Sequence, residues 1–137
     1  MKAYTDLEQS KKLAKILSVD SADMFYNEEQ DETHPKDIVD TKYPMVIREG
    51  QKYHLEEYGI PCWSLAALID VLPLGISIQN ISDGHKIYYY VEIYTKEIYM
   101  KLKRMNKEEI CLSTQRHENL IDACVEMIVK LKEKDLL

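Results

Sequence analysis

Tyr88, Tyr90, Tyr99, Lys101 and Lys103 are the residues whose types and spacing point most directly to a contact chemistry. Tyr88, Tyr90, Glu92 and Tyr94 alternate with apolar neighbours, as do Tyr99, Lys101 and Lys103. On two paired strands they would share one face, with Tyr90 opposite Lys101 and Tyr88 opposite Lys103. Residues 86–107 are also locally basic in an acidic chain. Aromatic rings interleaved with lysine on a sheet suit three purposes. They form ordinary cross-strand pairs with lysine stems lying over rings. They build a protein contact, where tyrosine is enriched. They stack the bases of a single-stranded nucleic acid. The formal net charge of −6 opposes a general electrostatic grip on nucleic acid or on an anionic membrane. Ordinary cross-strand packing is the simplest reading of this face; among functions, a protein partner or self-association leads, with single-strand binding as the alternative.

Cys62 is the reactive-thiol candidate. It precedes an apolar segment expected to be helical, and a thiolate at a helix entrance is stabilised by unpaired N–H groups. A nucleophilic role also needs a histidine base, and His54 is nearest in sequence. The competing reading is a small buried apolar residue, the commonest fate of a free cysteine. Cys111, His117 and Cys124 lack the tight C-x-x-C or H-x-x-x-H pair from which zinc sites are usually built. His34, His85 and His117 fall in expected loops or turns. Glu28-Glu29, Asp31-Glu32 and Glu56-Glu57 read as solvated runs rather than paired catalytic acids. No phosphate-binding glycine loop, nucleophile elbow or metalloprotease motif is present. The sequence implies no cofactor, no metal and, on balance, no enzyme.

Three cysteines at wide spacing make a poor disulfide framework. The first residues have no apolar leader, and no stretch approaches the roughly 20 apolar residues needed to cross a bilayer. A reducing cytoplasm is the expected location. Ten tyrosines against one Phe and one Trp suit half-buried sheet positions.

The elements that would position these residues follow from periodicity. Ile76 and Ile78, then Ile87, Tyr89, Val91 and Ile93, then Ile98, Met100 and Leu102 form three runs of period two. Asp83-Gly84 predicts a two-residue type I′ hairpin. That turn sets Ser82 opposite His85, Ile78 opposite Tyr89 and Ile76 opposite Val91. A second turn near Thr95-Lys96 would put Ile93 opposite Ile98 and Val91 opposite Met100. A fourth strand is expected over Glu109–Thr114, with Ile110 and Leu112 inward.

Helices are predicted at about 5–17, 63–71 and 119–134. The first opens on a Thr5/Glu8 capping box. The second stops before Pro73, and the third carries Asn119 as cap and Asp122 as its acid. Asp20 or Ser21 caps a further turn or leads into a Met24-Phe25-Tyr26 strand, and Met45–Arg48 is a short strand followed by a turn at Gly50. Residues 27–60 read as loop-rich, with 27–44 a mobile acidic loop and 51–60 ambiguous. The fold class is α+β over residues 1–137: an antiparallel β-meander of three to five strands with helices packed on one face, a two-layer single domain.

Three segments resemble a known group. They are Leu7-Glu8-Gln9-Ser10-Lys11-Lys12-Leu13, Pro61-Cys62-Trp63-Ser64-Leu65-Ala66-Ala67-Leu68 and Leu120-Ile121-Asp122-Ala123-Cys124-Val125-Glu126-Met127. Together they are similar to short uncharacterised proteins of gut Bacteroidetes and their prophages or mobile elements. The resemblance implies a bacterial or phage-encoded accessory protein of the cytoplasm. It carries over no activity and no functional residue.

Overall fold

Asp6, rather than Thr5, opens the first helix. Its carboxylate accepts from the Gln9 N–H at 2.8 Å, and the Gln9 side chain accepts from the Asp6 N–H at 3.1 Å. This is the expected capping box moved by one residue. The move has a tertiary cause, because Thr5 is fully buried and its hydroxyl is engaged elsewhere. The computed structural model describes residues 2–27, 43–48, 59–73, 75–105 and 111–137. Most of the expected 27–60 loop, Gly50 and Ile110 lie outside them. Among these residues the chain has an α+β architecture with two three-stranded antiparallel sheets. It divides into two compact units, Ala3–Ala67 and Leu68–Leu137 with Met1–Lys2.

The first unit contains α1 (Leu7–Ala14), a 3₁₀ turn (Val19–Ser21), β1 (Met24–Asn27), β2 (Met45–Val46) and β3 (Gly59–Cys62). The strand order is β2-β1-β3. Met24 pairs with both Val46 and Cys62, and Phe25 with both Met45 and Pro61. A proline is tolerated in β3 because of the way hydrogen bonding alternates along a strand. Trp63 accepts from the Thr5 N–H and donates its own N–H to the Thr5 hydroxyl. Pro61, two residues earlier, therefore also turns its nitrogen away from β1, where no ladder bond is lost. Tyr26, Ile60 and Cys62 form a buried cluster flanked by Tyr4, Leu7 and Met24.

Helix α2 (Leu65–Val71) starts two residues later than expected. Ser64 accepts from the Ala67 N–H at 3.2 Å and so acts as the cap.

In the second unit, β4 (Ile76–Ser82) and β5 (Ile87–Ile93) pair antiparallel over their full length. The register differs from expectation. Ser82 faces Ile87, Ile78 faces Val91 and Ile76 faces Ile93. The connection is a four-residue turn, 83–86, instead of a two-residue I′ turn. A type I′ turn requires positive φ at both central residues. Among the described residues, Asp135 is the only non-glycine with positive φ, so Asp83 does not qualify. Its carboxylate instead accepts from the N–H groups of His85 (2.8 Å) and Lys86 (2.9 Å), while Gly84 alone takes φ +94°. The slip is by two residues, so every side chain keeps its expected side of the sheet.

The third run is not a strand. Residues Lys96–Arg104 form α3, capped by the Thr95 hydroxyl, which accepts from the Ile98 N–H at 3.1 Å. Lys, Glu, Met, Leu and Arg are good helix formers, and Lys and Glu are depleted in strands. Ile98 and Leu102, four apart, are buried, whereas Met100 is 42% exposed. The expected pairs Val91–Met100 and Ile93–Ile98 are therefore not made. The third strand of this sheet is β6 (Leu112–Ser113), with Leu112 opposite Ile93 and buried as expected. Ile78, expected inward, is 41% exposed, while Val91 and Ile93 are fully buried.

The last helix, α4 (Leu120–Glu133), opens at Asn119, whose side chain accepts from the Ile121 N–H at 2.8 Å. It runs beside β5 and buries Ile121, Cys124, Met127, Ile128 and Leu131. The expected acid Asp122 takes the Lys2 ammonium at 2.8 Å.

Candidate interaction surface

Because Val91 and Ile93 point into the core, Tyr88, Tyr90 and Glu92 point to the other side of β5. Their cross-strand partners Ile81, Gln79 and Ser77 share that side, and Ser113 joins it opposite Glu92. Tyr88 and Tyr90 are half-buried and Ile81 is exposed. Two shallow depressions meet at the exposed Arg116. One is lined by Ile81, Ser82, Asp83 and Tyr88, the other by Tyr90, Ser113, Thr114 and Gln115.

The surface rests on a fixed base. Thr114 donates its N–H to the Val91 carbonyl at 2.9 Å and receives the Val91 N–H on its hydroxyl at 3.0 Å. His117 and Tyr89 exchange two backbone bonds, of 2.6 and 2.8 Å. From α4, the Glu126 carboxylate holds the Gln115 N–H at 3.0 Å and His117 Nε2 at 2.8 Å. Lys130 donates to the Ser113 carbonyl at 2.7 Å. Arg116 thus projects from a backbone tied on both sides, which lowers the entropy lost when its guanidinium is engaged.

Polar groups on this side have local partners. The Glu92 carboxylate accepts from the Ser113 hydroxyl at 3.1 Å, and the Gln79 amide donates to the Ser77 hydroxyl. The Lys86 and His85 backbone N–H groups hold the Asp83 carboxyl below the usual aspartate range, with a further bond from the Tyr88 hydroxyl. Glu118, 3.0 Å from the Lys86 ammonium, raises the pKa of that lysine.

The expected five-residue patch is not assembled as a sheet ladder. Tyr90 faces Gln79 and Tyr88 faces Ile81, in place of Lys101 and Lys103. Tyr99, Lys101 and Lys103 lie on α3 instead. There Lys103, one turn after Tyr99, places its ammonium 5.9 Å from the ring centroid. Lys101 lines a separate depression with Lys96, Glu97, Met100 and Arg104. Arg116 escaped the sequence reading because it belongs to no periodic run and no motif.

Cys62 ends a strand and is fully buried. Its sulfur lies 3.4 Å from the Thr5 carbonyl oxygen and 3.5 Å from the Thr5 hydroxyl. Burial pushes its pKa up, only partly opposed by hydrogen bonds from Thr5, Ser10 and Tyr26. Cys62 thus packs as a small buried residue, the favoured reading of this thiol, and burial opposes the activation that a helix entrance would supply. Burial likewise pushes Cys124 up to about 11. Tyr26, whose hydroxyl donates to the Thr5 carbonyl at 2.8 Å, is also raised by burial, with Cys62 adding to it. His54 and His34 lie outside the described residues, as do Glu28-Glu29, Asp31-Glu32 and Glu56-Glu57. His117 is half-buried against Glu126 rather than solvated, and His85 is exposed in its turn. Among the described residues no group of three His, Cys, Asp or Glu side chains could hold a metal. No helix among them is long and apolar enough to cross a membrane. Comparison of the chain with protein-family models, curated proteins and solved structures gave no significant match.

Proposed function

We infer that this chain is a non-enzymatic protein-contact module of the bacterial or phage accessory type, working in a reducing cytoplasm through the outer side of the β4-β5-β6 sheet. The observation that carries the reading is the half-buried Tyr88–Tyr90 row beside Arg116 on a hydrogen-bonded base. Tyrosine and arginine dominate the energetic centres of protein interfaces, and a pre-set backbone reduces the entropy lost on binding. Three free cysteines, two of them buried, fit a reducing compartment. The nucleic-acid alternative called for tyrosines and lysines interleaved on one sheet, and the lysines lie on α3. The enzyme alternative called for an activated Cys62, and burial disfavours its thiolate.

The test is differential capture by the full chain immobilised in a bacterial lysate. A partner retained by the parent and lost by Tyr88→Ser/Tyr90→Ser supports the reading. An unchanged set of retained proteins overturns it. Salt-sensitive retention of a single-stranded oligonucleotide that depends on the same tyrosines would assign the surface to nucleic acid instead.

A further inference from the structure

β4 is an edge of its sheet among the described strands, and its own sequence lacks the charges and proline that usually keep an edge from pairing. It runs unbroken for seven residues, Ile76–Ser82, with no proline, lysine or other charged side chain. Ile78, Asn80, Ile81 and Ser82 are exposed along it.

The direction of its backbone groups follows from the other side of β5. Tyr89 spends its N–H and C=O on His117, and Val91 on Thr114. Bonding direction alternates along a strand, so Tyr88, Tyr90 and Glu92 bond toward β4. Their partners Ile81, Gln79 and Ser77 are used inside the sheet. Ile76, Ile78, Asn80 and Ser82 consequently aim their N–H and C=O groups at the open edge.

We propose that β4 pairs antiparallel with β4 of a second copy, about a two-fold axis at Gln79, joining two three-stranded sheets into one. This rests on the reading of the chain as a contact module and adds self-association at a second surface of the same sheet. The four outward residues are symmetric about Gln79. Ile78 bonds Asn80 of the partner copy, Ile76 bonds Ser82, and each relation recurs by symmetry. The two Ile78 side chains lie diagonally across the axis on one side, within reach of each other. On the other side the two Gln79 amides meet, and the two Tyr88–Tyr90 rows become one surface. Charge permits this partner. The whole chain carries −6, yet 76–82 carries no charge, so pairing along this edge sets no like charges opposite one another.

Light scattering over a range of protein concentrations tests the pairing. The parent is expected to be dimeric. Asn80→Lys places two ammonium groups diagonally across the axis and is expected to weaken the dimer about tenfold or more while leaving circular dichroism unchanged. Facing non-bonded residues in an antiparallel pair stand about 4.5 Å apart at Cα, a span a disulfide closes. Gln79→Cys is therefore expected to give a covalent dimer under mild oxidation, whereas Ser82→Cys is not. A parent that is monomeric throughout, or a dimer indifferent to Asn80→Lys, overturns the pairing. Failure of Gln79→Cys to cross-link overturns the Gln79-centred axis. A monomer that still captures a partner through its tyrosines would end this inference and leave the contact-module reading intact. A dimer broken by Asn80→Lys, with tyrosine-independent capture, would do the reverse for the tyrosine surface.

Discussion

The two units are held together by different means. In Ala3–Ala67, residues far apart in sequence are joined by buried polar bonds. The Thr5 hydroxyl contacts that of Ser10 at 2.7 Å and receives the Trp63 N–H at 3.1 Å. The Trp63 indole donates to Ser21 at 2.9 Å, and the Asp23 carboxylate binds both the N–H and the hydroxyl of Ser64. In Leu68–Leu137, the interior is apolar side chains from α4, β5 and their neighbours, with Thr114 as its buried polar side chain, and the bonds of Glu126 and Lys130 are only part-buried. An apolar interior tolerates rearrangement as long as volume is kept, whereas a buried hydrogen-bonded hub does not, since each broken bond leaves an unsatisfied group. The first unit gains a defined arrangement from few residues. The second gains most of its stability from periodic burial.

The largest effect is expected in the second unit. Ile128→Ala removes a fully buried side chain from α4 and should cost about 3–4 kcal/mol in urea unfolding. Thr5→Val keeps the volume of the hub but deletes the hydroxyl, stranding the Trp63 N–H and the Ser10 hydroxyl. A loss of about 2–3 kcal/mol is expected by the same measurement. A loss below about 0.5 kcal/mol would break the comparison, because the hub would then be incidental.

Two glycines sharpen the account of the second unit. Gly75 has φ +90°, and a Cβ there would stand 2.3 Å from Thr95 Cγ2. Gly84 has φ +94° in open space. Gly75→Ala should destabilise by about 2 kcal/mol and Gly84→Ala by about 1 kcal/mol, the difference reporting the crowding at Thr95. Thr95→Ala removes the α3 cap and should cost about 1 kcal/mol, with partial loss of helical signal.

The smallest effect is at Asp83. Its folded carboxyl is lowered relative to the unfolded chain. The turn it ties is therefore fully supported above the ordinary aspartate value, and that support is lost as pH falls through the lower folded value. Amide protection at His85 and Lys86, relative to the intrinsic exchange rate at each pH, should fall over that acid window in the parent and stay constant across it in Asp83→Asn.

Legibility in the sequence divides along the same line. α4 and β5 were readable, because Ile121, Cys124, Met127, Ile128 and Leu131 repeat at helical spacing and Tyr89, Val91 and Ile93 alternate. The hub was not. Thr5, Ser10 and Trp63 carry no pattern linking residues so distant, and the Thr5 hydroxyl that satisfied a local capping rule was drawn into the interior. The Tyr88–Tyr90 half of the contact surface was visible from alternation, but Arg116 was not. The Lys101–Lys103 half was misplaced, because Ile98, Met100 and Leu102 match a strand's period while Ile98 and Leu102 also match a helix turn.

The amino-acid order alone determined that 76–82 and 87–93 pair with Val91 and Ile93 inward, and that 119–134 closes the chain as a helix. In each, one periodicity is satisfied and its rival is not. Tertiary structure decided whether 96–104 would be helix or strand, which residue would cap α1, and that Arg116 would stand beside Tyr88 and Tyr90. Propensity in 96–104 favoured a helix while its period also fitted a strand, and the fold leaves Ile98 and Leu102 buried with Met100 exposed; at α1, burial of Thr5 passed the cap to Asp6.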